Sequence, residues 1–375
     1  MLNAPAPFCT NCNAEYHVDN FGGDCPSCGK PLGTRSAKMG KSLGNTVSPG
    51  DMVGKFGADT VRLFILFGAN PEAGMDWSDS ALEANYRQIN AVIDAVGSAQ
   101  AMESSPGIMD EWLNARLRVN QSIWREVMES VSLREGVMIS HFGMLSDWNW
   151  YRRRGGCDRE TARAFLEGWI PMLAPATPHI AEEFWHQLGV QGLLAEHALP
   201  DITDSSNDAP VLAREAYLRN IITSARNLRG LAERHTEKEI SQVVIQTAPA
   251  WKSALARDAI RLESEGFDFK VEGQTHLQSL DIFQNEALRG EIFQTWMALT
   301  TGSKKKRGRI HTWSDGERAQ IFSGIDETGT IAANSEFIAN ALEVSSIEVY
   351  PVGEGEDIGG KAQVAFPLEP GISFL

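Results

Sequence analysis

The chain has 375 residues, of which 42% are apolar, so it is long enough for two or three domains with cores of their own. Its apolar runs are far shorter than a membrane span, and we expect a cytoplasmic protein with no membrane partner. The net charge of −15 argues against a nucleic-acid partner only at first sight. Residues 1–60 carry five basic and five acidic side chains, so the excess of acid lies elsewhere.

Four cysteines form two Cys-x-x-Cys pairs, Cys9 with Cys12 and Cys25 with Cys28. The twelve residues between the pairs are enough for a short hairpin that brings them together, which predicts a tetrahedral all-thiolate site for structural zinc. Two disulfides are the alternative, but no secretory signal precedes the pairs and the chain has only five cysteines in all. We therefore expect a zinc ribbon at residues 1–33, with its histidine on the surface and not among the ligands.

Two lysines follow the ribbon in a stretch rich in small residues, Lys38-Met39-Gly40-Lys41-Ser42. A loop of this kind can close on a ligand and bring both ammonium groups to a triphosphate whose pyrophosphate is leaving. Most lysine pairs are simply solvated, so the spacing alone leaves both interpretations open.

The run Lys38–Ser42 resembles the Lys-Met-Ser-Lys-Ser motif of the class I aminoacyl-tRNA synthetases, and residues 57–63 are similar to the helix that follows the motif. Residues 68–79, with their Pro-Glu and Trp-Ser-Asp, look most like the leucyl enzymes, and residues 173–185 resemble the last helix of the family's anticodon-binding bundle. The resemblance implies that Lys38, Met39, Gly40, Lys41 and Ser42 bind ATP, which brings Mg²⁺. It also implies that Lys38 and Lys41 are the catalytic residues. Gly40 replaces the usual serine and should loosen the loop.

The implied reaction is the ATP-dependent activation of leucine and its transfer to tRNA(Leu), a ligase step of protein biosynthesis. Isoleucine, valine and methionine remain alternative amino acids. No His-Ile-Gly-His-like segment occurs, and we expect residues 1–60 to hold a ribbon and a loop but no sheet. The enzyme would then need a separate polypeptide carrying the front half of the catalytic domain. A non-catalytic tRNA-binding half-synthetase and a gene fragment are the alternatives.

The expected fold is mainly α-helical and has several domains. After the loop and catalytic segment at 34–77, apolar residues at helical spacing predict an anticodon-binding-type helical bundle at 78–199. A polar linker at 200–209 leads to a small α/β or α+β domain at 210–375, which the resemblance implies to contact tRNA. In that domain we predict helices at 210–235 and 251–265 and strands at 243–247, 267–271, 347–352 and 363–366.

Two basic segments could contact RNA phosphates. Three arginines follow Trp148, Trp150 and Tyr151, and a basic loop follows residues 301–303. The cations are Arg152, Arg153, Arg154, Lys304, Lys305, Lys306, Arg307 and Arg309. The alternatives are that the tryptophans lie in the bundle core and that the basic loop is only solvated. His179, Glu182 and Glu183 share one helix, but we interpret them as structural and not as a metal site.

Overall fold

The computed structural model describes residues 2–70, 73–199, 208–233, 240–301 and 307–375. The chain separates into two compact units, Met1–Ser205 and Ser206–Leu375, which are described in turn. Most of the predicted linker, residues 200–207, lies outside the described residues. Within the described ranges, no helix has the length and apolar character needed to span a bilayer.

The first unit begins with a small sheet of strands β1 Leu2–Cys9, β2 Ala14–Glu15, β3 Gly33–Lys38 and β4 Met75–Asp76. Strand β1 pairs antiparallel with β2 and β3 and parallel with β4, and β3 pairs on one side only. The expectation of no sheet at residues 1–60 is therefore wrong. Pro5 and Pro7 argue against a strand at β1 in the sequence, because proline lacks the N–H that a ladder needs. The Pro7 carbonyl accepts from Tyr16 N on the β2 side, so the proline nitrogens point away from the β3 ladder.

Helices make up the rest of the first unit, as predicted. They are α1 Pro49–Phe56, α2 Ala58–Gly68, α3 Asp79–Gln100, α4 Ile108–Glu129, α5 Leu133–Val137, α6 Met144–Arg153, α7 Arg159–Leu173 and α8 Pro178–Gln187. The core of the helical bundle is strongly aromatic, with Trp112, Trp148, Tyr151, Phe165 and Trp169 at most 1% exposed. Several helices begin at a side-chain cap, in which a hydroxyl or carboxylate accepts from the backbone N–H three residues on, as at Ser48, Ser78 and Asp158.

A π-helical segment, Met138–Gly143, joins α5 to α6 without a break. The wider π turn leaves backbone carbonyls without their usual α-helical partners. Two side chains satisfy them: Gln88 Nε2 donates to the His141 carbonyl at 2.5 Å, and Trp169 Nε1 donates to the Ser140 carbonyl at 2.6 Å. The segment is thereby tied to α3 and α7 inside the bundle.

The second unit combines helices with a three-stranded sheet of order β6-β5-β7. Its elements are α9 Ala209–Ala232, β5 Gln242–Thr247, α10 Ala250–Ser264, α11 Gly273–Ser279, α12 Arg289–Thr300, α13 Asp315–Phe322, α14 Glu327–Ala332, α15 Ser335–Leu342, β6 Ser346–Pro351 and β7 Gly371–Phe374. Strand β5 is parallel to β6 and antiparallel to β7. A mainly helical chain with a small C-terminal α and β unit is the predicted fold class.

Two predicted strands of this unit are wrong. Residues 267–271 form a turn, because the Asp268 carboxylate accepts from Lys270 N at 2.9 Å and so competes with strand pairing. Residues 363–366 do not form a strand either, and the chain instead turns at Leu368, whose φ is 65°. The third strand of the sheet follows that turn at Gly371–Phe374.

Candidate metal centre and phosphate-binding loop

The structure brings the four predicted cysteines together at the end of β1. Their sulfur atoms all lie within 4.8 Å of one another, and none of the four is in a disulfide. The Cys9–Cys28 and Cys12–Cys25 sulfur pairs are 3.6 and 3.9 Å apart. Four sulfurs at about 2.3 Å from a tetrahedral zinc ion would be about 3.8 Å apart, so the thiol groups already have the spacing of a zinc site.

The electrostatics of the cluster also suit a cation. A hydrogen bond from the Tyr16 hydroxyl lowers the pKa of the Cys25 thiol to about 6, whereas the hydrogen bond with Cys28 raises the pKa of Cys12 to about 12. Four adjacent sulfurs therefore cannot all ionise unless a positive ion joins them. The residues present fit a structural zinc ion.

The chain turns sharply at the second cysteine pair. Cys25 N donates to the Lys30 carbonyl at 2.7 Å, and Gly29 N donates to the Cys25 carbonyl at 2.8 Å. Gly29 has a φ of +67°, a conformation that glycine adopts without strain. This turn holds Cys25 and Cys28 on the same side of the hairpin.

The predicted phosphate-binding loop begins where β3 ends, at Lys38. Both Lys38 and Lys41 are exposed, and among the described residues no carboxylate is paired with either ammonium group. The cations are therefore available to a ligand, which is what a triphosphate site requires. Whether they bind ATP stays a prediction.

Asn45 fixes the base of this loop, a role that the sequence analysis missed. Its buried side-chain oxygen accepts from Gly40 N at 2.9 Å. Its amide nitrogen donates to the carbonyls of Ala4, Ala37 and Lys38 at 3.3 to 3.4 Å. One side chain thus ties the start of the loop to β1 and β3. An asparagine soon after the lysines was visible in the sequence, but its burial was not.

No steric constraint requires a glycine at position 40, where it replaces the usual serine. A β-carbon at Gly40 would come no closer than 3.7 Å to Ser42 Oγ, which is ordinary van der Waals contact. The residue at this position can therefore carry a side chain without displacing the loop. Gly40 adds freedom in the unfolded chain and gives no conformation that serine could not adopt.

Helix α2 connects the loop region to the helical bundle. The buried Asp59 carboxylate accepts from His179 Nδ1 and from Ile180 N, both at 2.8 Å. Arg62 donates to the carbonyls of Pro175 and Ala176 at 3.0 and 3.1 Å. His179 is therefore engaged with α2 at the start of α8.

The two carboxylates on α8 are directed elsewhere. Glu182 accepts from the backbone N–H groups of Leu194 and Ala195, and Glu183 accepts from Gln187 Nε2. Within the described chain, neither carboxylate belongs with His179 to a group of side chains that could hold a metal ion.

The structure describes only some of the residues that are predicted to contact RNA. Trp148 and Trp150 are buried in the bundle, whereas Arg152 and Arg153 are exposed at the end of α6. Arg152 donates to the Gly156 carbonyl at 2.7 Å, and Arg153 stacks over the Trp150 ring at 5.6 Å. Both guanidinium groups thus remain at the surface while they stabilise the helix end. Contact with RNA stays a prediction.

Only part of the basic loop lies within the described residues. Lys304, Lys305 and Lys306 lie outside the described residues, and Arg307 is exposed. Arg309 is paired with Glu369 and lies 4.0 Å from the centroid of the Phe366 ring. That arginine is engaged within its own unit.

Part of the chain is similar to a known family. Residues 110–245 match the family described as the anticodon-binding domain of tRNA ligase. The match runs from α4 in the first unit to β5 in the second.

Relatives narrow the comparison to one group of ligases. The chain is 26% identical to the leucine–tRNA ligase of Pyrococcus abyssi over 89% of its own length and 33% of the relative. It is 27% identical to that of Methanosarcina acetivorans over 89% and 34% of the two chains, and 29% identical to that of Archaeoglobus fulgidus over 59% and 23%. The chain is thus a homologue of the leucine–tRNA ligases, which are class I aminoacyl-tRNA ligases. It spans about a third of the length of the first two relatives and about a quarter of the third.

One solved structure is also similar. It is a leucyl-tRNA synthetase, the agnB2 LeuRS of Agrobacterium radiobacter K84, in a ternary complex with tRNA and LeuAMS. It is 25% identical and has a TM-score of 0.38, with 44% of this chain and 23% of that one covered. A TM-score of this size does not establish a shared fold.

Proposed function

We propose that the chain is the C-terminal part of a leucine–tRNA ligase and supplies its lysine loop, zinc ribbon and tRNA-binding units. The observation that carries the proposal is the pair of exposed cations, Lys38 and Lys41, on a loop anchored by Asn45. This loop lies in a chain that aligns with leucine–tRNA ligases over 89% of its length.

The proposed chemistry has two steps. The carboxylate of leucine attacks the α-phosphorus of ATP and pyrophosphate leaves, and a ribose hydroxyl at the 3′ end of tRNA(Leu) then attacks the adenylate carbonyl and displaces AMP. Lys41, supported by Lys38, stabilises the negative charge that develops on the phosphates in the first step. Mg²⁺ enters with ATP. The leucine pocket and the remaining nucleotide contacts come from the rest of the catalytic domain, whether on the same polypeptide or on a separate one.

The cysteine cluster has a structural role in this proposal. Cys9, Cys12, Cys25 and Cys28 would hold one zinc ion, which supplies the bonds that a segment with so little core needs to stay folded. A closed four-thiolate site leaves no position for substrate, so it takes no part in the chemistry.

The test is the exchange of pyrophosphate into ATP in the presence of leucine, with the chain joined to the rest of a leucine–tRNA ligase catalytic domain. We expect Lys41→Ala to slow the exchange by about two to three orders of magnitude, the range for removing one preorganised charged group. The matched control is Lys55→Ala, because Lys55 is an equally exposed lysine on α1 that packs over Phe56. Equal exchange rates for Lys41→Ala and Lys55→Ala would contradict the role given to the loop.

A further inference from the structure

The zinc hairpin and the lysine loop share one short stretch of chain, Tyr16–Val18. On one side this stretch contacts the cysteine cluster. The Tyr16 hydroxyl lies 3.2 Å from Cys25 Sγ and 2.9 Å from Ser27 Oγ. Because Cys25 and Ser27 belong to the second cysteine knuckle, the position of Tyr16 depends on how that knuckle is held.

On its other side the same stretch contacts the lysine loop. Val18 N donates to the Leu43 carbonyl at 2.9 Å. The His17 ring lies directly against Gly44, where an added β-carbon would be only 2.4 Å from His17 Nε2. Gly44 also has a φ of +66°, so a glycine is needed both for the backbone conformation and for the approach of the ring.

Asn45 stands at the far end of the lysine loop, and its side chain bonds to Gly40 and Lys38 at the start of the loop, so the two ends are closed on each other. The segment between them, which carries Lys41, has two local turn bonds, Leu43 N to the Gly40 carbonyl and Gly44 N to the Lys41 carbonyl. The contacts with His17 and Val18 supplement these bonds, and they come from the zinc hairpin.

We propose that Tyr16–Val18 couples metal occupancy of the cysteine cluster to the position of the lysine loop, with His17 as a positioning residue for Lys41. A small thiolate ribbon has too little apolar surface to hold its shape without the metal, so loss of the ion releases Tyr16 and, through it, His17 and Val18. The segment that carries Lys41 then opens, while the two ends of the loop stay closed by Asn45. The role of the loop in binding ATP rests on the proposed function. The coupling between the metal site and the loop does not.

The experiment is amide hydrogen exchange on the full chain, loaded with zinc or treated with a chelator. The Gly29 amide reports on the cysteine knuckle, the Leu43 and Gly44 amides report on the segment that carries Lys41, and the Gly40 amide reports on the loop base. We expect chelation to speed exchange at Gly29, Leu43 and Gly44 by roughly tenfold or more, with a smaller effect at Gly40, because exchange follows the population of the open state. Fast exchange at Gly29 with unchanged exchange at Leu43 and Gly44 would overturn the coupling.

A His17→Ala variant separates the loop from the metal site. It keeps all four thiolates, so we expect one zinc ion per chain and a protected Gly29 amide, together with roughly tenfold faster exchange at Leu43 and Gly44 even when loaded. Chelation should then add little at those two amides. His17→Phe, which retains a ring against Gly44, should restore the slow exchange, and His186→Ala on the exposed face of α8 is the control that should change nothing.

Two outcomes would overturn the proposal at this step. Unchanged exchange at Leu43 and Gly44 in zinc-loaded His17→Ala would show that the ring does not position the loop. Loss of zinc from His17→Ala would place the histidine in support of the metal site and not between the metal and the loop. Either failure is distinct from a failure of the proposed function, which is measured by the effect of Lys41→Ala on pyrophosphate exchange.

Discussion

At the scale of single residues, the most heavily perturbed titratable group in the bundle is His141. It is completely enclosed, and burial lowers its pKa to about 3. The Thr177 hydroxyl donates to the Leu173 carbonyl at 3.2 Å, so it accepts from His141 Nε2 at 3.0 Å. The Ser140 hydroxyl lies 2.8 Å from Nδ1 and 3.5 Å from the Val137 carbonyl. The Val137 carbonyl favours the protonated ring and raises the pKa, but the cost of burying the charge is larger and keeps the ring neutral.

This neutral histidine predicts how the stability of the first unit depends on pH. The unfolded chain takes up a proton near pH 6.5 and the folded chain only near pH 3, so the unfolded state binds more protons between these values. The histidine's contribution is therefore complete above pH 6.5 and is lost as the pH falls toward 3. We expect His141→Gln to have a shallower dependence of unfolding free energy on pH in this window, by up to about 1.4 kcal/mol per pH unit. Chemical denaturation at several pH values measures it, and parallel curves for the two proteins would contradict it.

At the scale of elements, the zinc ribbon differs from the helices that follow it. Its turns and short strands bury few large side chains, and apart from Cys9 and Cys25 most of its residues between 9 and 33 are exposed. The bundle, in contrast, buries several tryptophans almost completely. With so little core, the ribbon would depend on the proposed zinc ion for folding, whereas the bundle has an apolar core of its own.

The ribbon should consequently unfold alone when its site is broken. We expect about one zinc ion per chain in the wild type and its release in Cys25→Ser. The helical circular dichroism near 222 nm should stay almost unchanged, because the ribbon contains almost no helix. The control is Cys157→Ser, which alters the only cysteine outside the cluster. Metal analysis and circular dichroism together check the result. Full zinc occupancy in Cys25→Ser would exclude a four-thiolate site.

At the scale of the whole molecule, charge restricts how RNA can bind. The chain has 34 basic and 49 acidic side chains, so its overall field repels a polyanion. The proposed tRNA binding would then rely on local groups of cations whose phosphate contacts release counterions. The two groups singled out in the sequence are the arginines at 152–154 and the basic loop at 304–309.

Titrations with tRNA(Leu) at several salt concentrations should distinguish the two groups. We expect alanine at Lys304, Lys305 and Lys306 to weaken binding and to flatten the plot of log affinity against log salt, by roughly 0.7 to 0.9 for each phosphate that the variant no longer neutralises. A second variant, with alanine at Arg152 and Arg153, tests the other group. Slopes equal to that of the wild type in both variants would remove both segments from the interface.

Local chemistry made some features predictable from the sequence. The spacing of the cysteine pairs predicted their meeting, because each pair and the hairpin between them are short-range features. The helix predicted at 251–265 likewise corresponds to α10, Ala250–Ser264, because its apolar residues recur at helical spacing. Strand β1 was missed because proline cannot donate to a ladder, so its two prolines argue against a strand that is paired on both sides. The roles of Asn45 and His17 were missed because they depend on partners from other parts of the chain, which one sequence does not pair.

Among the strands of the described residues, β3 is paired on one side only, and this has a consequence for the solubility of the chain on its own. An unpaired strand edge can template the addition of another strand, and charged side chains are a common protection against such aggregation. Arg35 and Lys38 are the charged residues of β3, and both are exposed. Lys38 therefore serves as a gatekeeper of the sheet edge as well as a candidate phosphate ligand. Substitutions that remove its charge should be chosen to keep the edge polar, so that self-association is not mistaken for a loss of activity.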